Sequence, residues 1–170
     1  MAHSTKKLGM MFTMAGWIVG LALIVAVFTR ILDHQSNPNQ SVATLQTGEY
    51  SEIVLQRSRN GHYVFDGEIN QRKVTFLVDT GATITAIPGE LERELGLKRG
   101  PASSVSTANG VTTAYLTRLD QLAVGEIQFN DVGATLIPGM GVDEILLGMN
   151  VLQHFELVQR GDELIIRYYR

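Results

Sequence analysis

The sequence predicts an all-β domain, with one or two short helices, carried behind a single apolar N-terminal helix. Three observations lead there. Residues 8–29 hold no charge, bracketed by Lys6 and Lys7 on one side and Arg30 on the other. From residue 61 onward, short runs rich in Val, Ile, Thr, Phe and Tyr alternate with Gly-, Asn- and Asp-bearing turns, which is how strands and hairpins read. No repeat and no low-complexity segment interrupts that alternation.

Taken in order, residues 1–7 form a short basic N-terminus, expected in the cytoplasm. The 22 uncharged residues from Leu8 to Thr29 are long enough to cross a bilayer core as a helix. A cleaved signal peptide would have a shorter apolar core and an A-x-A-like site; none follows Val25, so an uncleaved anchor is expected. Lys6 and Lys7 precede the span, and Asp33 offsets Arg30 beyond it, which puts the bulk of the chain outside by the positive-inside rule. Residues 30–60 are expected to be a polar tether, most plainly from Asp33 to Tyr50, with few large apolar side chains. As a flexible chain that stretch would hold the domain roughly 25 Å from the membrane on average. Residues 61–170 remain for one small domain.

Charge excludes one class of partner. Residues 1–32 hold three Lys/Arg and no Asp/Glu, so of the 14 basic and 17 acidic residues the exported part keeps 11 and 17, near −6. Nucleic acid is therefore not an expected partner. The chain has no Cys, which suits an oxidising compartment without disulfides.

Within the domain, His62–Ile69 and Lys73–Val78 flank Asn70-Gln71-Arg72 as a hairpin. Ile84–Ile87 is a short apolar strand stopped by Pro88. Gly89–Leu97 places apolar residues four apart with charges between, as one short amphipathic helix would. Ser103–Leu119 holds Asn109-Gly110 between β-prone arms, a strong hairpin signal. A further hairpin is expected from Leu122 to Ile137. Glu144–Asn150 is an apolar strand ending in Gly148, which opens a short helical segment from Met149 to His154. Phe155–Tyr169 folds about Arg160-Gly161-Asp162.

The segment Phe76–Thr83, F-L-V-D-T-G-A-T, delivers an Asp from the end of an apolar strand into a tight turn of small residues. Asp79 projects from the strand end, Thr80 offers a short hydroxyl, and Gly81 permits close backbone approach. A D-[ST]-G triplet alone arises by chance in about one chain in ten of this length. Its weight comes from a second element some 65 residues on, E-I-L-L-G-M-N from Glu144 to Asn150.

With those two motifs and T-A-N-G from Thr107 to Gly110, the region from about Gly61 to Arg170 resembles the retropepsin-like, single-domain aspartic proteases, specifically a small bacterial membrane-anchored group. The resemblance implies a single-lobed acid protease fold with Asp79 catalytic. It implies that Thr80, Gly81, Ala82 and Gly148 support the catalytic loop, and that Ala108, Asn109 and Gly110 form a flap over polypeptide substrate. Hydrolysis of this kind needs two carboxylates around one water. One chain supplies one Asp-Thr-Gly, so a homodimer with Asp79 from each copy is expected. In a double-membrane bacterium the domain would lie on the periplasmic side of the inner membrane.

Other chemistries find no support. His3, His34, His62 and His154 are scattered, no H-E-x-x-H or G-x-S-x-G occurs, and no metal or cofactor is expected. His154 and the isolated Asp66, Asp120, Asp131, Asp143 and Asp162 read as structural. The dimer surface stays open: the run Leu164–Tyr169 is either a terminal strand pairing across the axis or an inner strand of the monomer. The alternative function is a peptide-binding or scaffolding module that keeps the fold without cleaving; a third is an anchored regulator whose partner completes the site.

Overall fold

The computed structural model describes residues 2–107, 110–141 and 143–169. The chain divides into two units, residues 1–35 and 36–170. The first is the helix α1 (Ala2–Ser36), whose stretch Gly9–Ser36 is long and apolar enough to cross a membrane. Two threonines within it bond back to the helix: the Thr13 hydroxyl donates to the Gly9 carbonyl at 2.9 Å, and that of Thr29 to Val25 and Ala26 at 3.0 Å.

The second unit is two antiparallel-rich sheets around one core. Its strands are β1 (Thr44–Gln46), β2 (Tyr50–Gln56), β3 (Val64–Ile69), β4 (Arg72–Val78), β5 (Thr85–Pro88), β6 (Ala102–Thr107), β7 (Gly110–Val124), β8 (Ile127–Ile137), β9 (Ile145–Leu147), β10 (Glu156–Arg160) and β11 (Glu163–Tyr169), with a four-residue helix α2 (Met149–Leu152). One sheet has the order β1-β2-β11-β10, the other β3-β4-β9-β5-β8-β7-β6, with β3 also pairing β7. Phe65, Phe76, Ile69, Ile87, Leu119, Leu122, Leu136, Ile145 and Leu147 are fully buried between them. The Phe65 and Phe76 rings lie 5.4 Å apart, so truncating either would cost about 3–5 kcal/mol.

Three sequence expectations are corrected. Residues 30–60 are not a free tether: α1 continues to Ser36, and β2 is an inner strand beside β11. Ile53 and Leu55 are fully buried because Y-S-E-I-V-L-Q alternates with the strand period, a pattern the polar composition around it obscures. Over Gly89–Leu97, helix is limited to a 3-10 turn at Gly89–Leu91, followed by one α-type bond from Leu95 N–H to the Leu91 carbonyl, 2.9 Å. Gly96, at φ +66°, stops the turn in the left-handed region. Leu164–Tyr169 is the inner-strand alternative, since β11 is flanked by β2 and β10 and has no edge to offer a second copy.

The expected hairpins form. Asn70 and Gln71 take φ of +50° and +64°, the geometry of a two-residue turn between twisted strands. Asn70 also ties outward: its Nδ2 donates to the Leu95 carbonyl and its Oδ1 accepts the Gln121 N–H, both at 3.1 Å.

Candidate active site

The site begins with β4, which runs through the core and ends at Val78. On one side β4 pairs antiparallel with β3, and the Val78 N–H donates to the Tyr63 carbonyl at 2.9 Å. On the other side β9 lies parallel, with Phe76, Leu77 and Val78 opposite Ile145, Leu146 and Leu147. The Asp79 N–H continues that ladder to the Leu147 carbonyl at 3.2 Å. There the chain turns: Oδ1 of Asp79 accepts the Gly81 N–H at 2.9 Å, and its carbonyl accepts the Ala82 N–H at 3.2 Å. The half-buried carboxylate is thus oriented by its own turn, as Asx geometry allows.

Two glycines are there for space. A Cβ on Gly81 would lie 3.1 Å from Asp79 Oδ1, and one on Gly148 would lie 2.6 Å from the Ile84 carbonyl carbon and 2.7 Å from Thr85 N. The second contact is with backbone that cannot yield cheaply. Gly148 therefore lets β9 and α2 press onto the loop leaving Asp79. Across that contact Met149 N–H donates to the Ala82 carbonyl (2.7 Å) and Asn150 N–H to that of Thr83 (3.1 Å).

Two residues that sequence reasoning assigned no role complete the support. Thr85 is fully buried; its N–H and its hydroxyl both donate to Asn150 Oδ1, at 2.9 and 3.0 Å. The Thr85 hydroxyl oxygen accepts the Gly148 N–H at 3.3 Å, and Asn150 Nδ2 donates to the Gly133 carbonyl at 2.8 Å. A Thr inside an apolar strand and an Asn two residues past a strand-to-helix Gly were the available signals.

Of the expected site residues, Asp79, Thr80, Gly81, Ala82 and Gly148 converge on this one turn. Thr80 is exposed, and its hydroxyl makes no hydrogen bond among the described residues. The expected flap is the hairpin of β6 and β7, with Thr107 opposite Gly110 in register. Gly110 sits at φ +112° as the first residue of β7, whereas Ala108 and Asn109 lie outside the described residues. The arms of this hairpin contribute Val105 and Ala114 to a small apolar cluster with Ala86, Ile137, Met140 and Leu146. That cluster links the hairpin to β5, β8 and β9, the strands around the Asp79 turn.

A concavity of about 630 Å³ lies elsewhere: it is lined by Ile84, Lys98, Leu116, Arg118 and their neighbours and does not include Asp79.

The fold and this turn define a class, and comparison with known proteins identifies it. Residues 65–154 match the family described as "gag-polyprotein putative aspartyl protease", and the chain belongs to that family of retropepsin-like aspartic proteases. It is 30% identical over 166 residues to an uncharacterized protein in the cobV 5′ region of Sinorhizobium sp., covering 89% of this chain and 70% of the relative. An uncharacterized protein of Rickettsia prowazekii (strain Madrid E) is 29% identical over 167 residues, covering 93% of this chain and 71% of the relative. Among solved structures, a retropepsin-like aspartic protease from Rickettsia conorii superposes with a TM-score of 0.60 at 30% identity, covering 75% of this chain and 96% of that one.

Proposed function

We propose that the chain is a membrane-anchored aspartic endopeptidase, active as a homodimer in which each copy contributes Asp79. The observation that carries this reading is the Asp79 turn itself, with its carboxylate held by the Gly81 N–H and braced from behind by Gly148 and Asn150. Two such carboxylates about 3 Å apart across a two-fold axis would share one proton. The ionised one takes a proton from the bound water, the protonated one donates to the peptide carbonyl, and the water oxygen attacks the carbonyl carbon. No cofactor enters. Thr80, exposed at the turn, would bond to the partner's loop and keep the two carboxylates coplanar.

The helix through residues 8–29 would anchor the enzyme in the inner membrane, with residues 1–7 cytoplasmic and the catalytic unit periplasmic. Confining two copies to one membrane raises their effective concentration, so a modest dimer interface suffices. Thr80, Gly81, Ala82 and Gly148 act as loop support, and the hairpin bearing Ala108, Asn109 and Gly110 as the flap over the polypeptide substrate.

Asp79→Asn is the test. Asn keeps an oxygen to accept the Gly81 N–H but cannot take the water's proton, so cleavage of an unfolded protein substrate should vanish while the melting temperature holds. Full cleavage by that variant would favour the non-cleaving peptide-binding module, with the observed proteolysis coming from a contaminant.

A further inference from the structure

Immediately past α1 the chain reads Ser36-Asn37-Pro38-Asn39, a stretch whose composition suggests slack but whose contacts form a clamp. Asn39 is 6% exposed. Its Nδ2 donates to the Gln56 carbonyl at the end of β2 (2.9 Å) and to the Val64 carbonyl at the start of β3 (2.7 Å), while its Oδ1 accepts the Gln56 N–H (2.7 Å). The side chain's two donors and its acceptor are thus all engaged. The Asn39 carbonyl also accepts the Asp66 N–H at 3.1 Å, making a parallel bridge between Asn39 and Phe65.

Asn37 extends the grip. Its Oδ1 accepts the Asn39 N–H at 3.0 Å and its Nδ2 donates to Asp66 Oδ1 at 2.6 Å. That same carboxylate receives the Thr75 hydroxyl of β4 (3.0 Å) and faces Lys73 Nζ at 2.9 Å. Asn37 and Asn39 of the supposed tether thereby join β2, β3 and β4. The route to the carboxylate is short: Val64 pairs with Leu77, the neighbouring Tyr63 carbonyl holds the Val78 N–H, and Asp79 comes next.

We infer that Asn39 is a positioning residue for the Asp79 turn, so that the catalytic unit can be separated from its anchor without loss of rate only by cleavage before Asn37. The kinetic half of this rests on Asp79 being catalytic. Asp at position 39 would keep the acceptor and lose both donors; Ala would lose all three and leave the Val64 carbonyl without its amide donor, a cost that buried backbone groups avoid. A displacement of the turn by a fraction of an ångström to 1 Å changes rate far more than binding.

The test uses the full chain in detergent micelles, as wild type, Asn39→Ala and Asn39→Asp, at a temperature where circular dichroism shows each folded. The expected result for Asn39→Ala is kcat lowered by about 10- to 100-fold with KM within about twofold, and faster hydrogen exchange at the Val78 amide. Asn39→Asp should fall at least as far, because it turns a second buried oxygen, in place of the amide donors, toward the Gln56 and Val64 carbonyls. In a parallel pair, a site-specific protease sequence is inserted in the full chain either between Gln35 and Ser36 or between Ala43 and Thr44. At a protein concentration where light scattering shows both nicked forms dimeric, cutting the first should leave kcat unchanged and cutting the second should lower it. Wild-type kcat and wild-type Val78 exchange in Asn39→Ala, or equal rates from the two nicked forms, would overturn the inference. If instead Asp79→Asn cleaves like wild type, the catalytic reading fails by itself, and Val78 exchange still decides the clamp.

Discussion

Replacing Gly148 by Ala adds one methyl group and nothing else, which makes it a sharp probe of how the Asp79 turn is held. The backbone at Gly148 is in the ordinary extended region, φ −86° and ψ 173°, so no conformational strain accompanies the change. All of its cost is steric. The new Cβ would stand 2.6 Å from the Ile84 carbonyl carbon, 2.7 Å from Thr85 N and 2.9 Å from the Ile84 oxygen, none of which can rotate away. β9 and α2 must therefore retreat from the loop, stretching the bonds from Gly148 N–H to the Thr85 hydroxyl and from Met149 N–H to the Ala82 carbonyl. Overpacking of this kind costs about 3 kcal/mol, which for a unit of this size lowers the melting temperature by roughly 10 °C. Displacing the turn should also cut kcat by about 100-fold. Gly133→Ala is the matched control: it too lies in a sheet beside this site, yet a Cβ there meets nothing within 4 Å, so stability and rate should both hold. Differential scanning calorimetry and initial-rate kinetics on the full chain decide the matter. A Gly148→Ala variant with wild-type melting and wild-type kcat would refute the claim that this close approach positions the turn.

Thr85→Val removes a buried hydroxyl that donates to Asn150 and accepts from Gly148; it should cost about 1–3 kcal/mol, read as a lowered denaturant midpoint, together with a fall in kcat. Gly110→Val places a β-branched residue at φ +112°, a region it resists, although its Cβ has open space. Turnover should therefore drop well beyond the loss in stability, and unchanged peptide cleavage would mean that the hairpin of β6 and β7 is not the flap. The Arg118 guanidinium, hydrogen-bonded to Asp131, lowers the carboxylate's pKa from the ordinary 3.8. A carboxylate shifted down contributes stability that is fully present above its unfolded value and is lost as pH falls through its folded one. Arg118→Gln should accordingly melt slightly below wild type above pH 3.8, with the gap closing as pH falls below it; a gap that stays constant down the acid limb would point to packing rather than charge.

Local chemistry was legible and partnership was not. The Asn70-Gln71 turn and the end of the strand at Pro88 each follow from one residue's backbone preference, and the strand-to-helix break at Gly148 from the space a missing Cβ leaves. By contrast, the parallel placement of β9 beside β4 follows from no periodicity, because a strand's pattern tells which face is buried and not which strand lies alongside. The role of Thr85 escaped for the same reason: its partner Asn150 is 65 residues away. In residues 36–56 composition misled, since Asn39 is polar because it binds backbone, and Asn37 because it binds the Asn39 N–H and the Asp66 carboxylate. Gly89–Leu97 failed differently. Its apolar spacing is real, with Leu91, Leu95 and Leu97 against the core, but Gly96 ends the segment before a helix can propagate.

The topology explains why one short motif is insufficient to build the site. β4 delivers Asp79 and β5 leads away from it, and between these two lies β9, parallel to the first and antiparallel to the second. The loop from Asp79 to Thr85 is consequently not free to choose its conformation: its carbonyls at Ala82 and Thr83 are taken by the N–H groups of Met149 and Asn150. Because β9 pairs with β4 and β5 from some 60 to 70 residues further along the chain, the Asp79 turn is completed by contacts of long sequence separation, whose loop closure is costly. An Asp-Thr-Gly in an unfolded chain, or in one misfolded near β9, would leave the Asp79 N–H without the Leu147 carbonyl and the turn without its brace. The carboxylate is therefore presented for chemistry only by a domain that has closed its core.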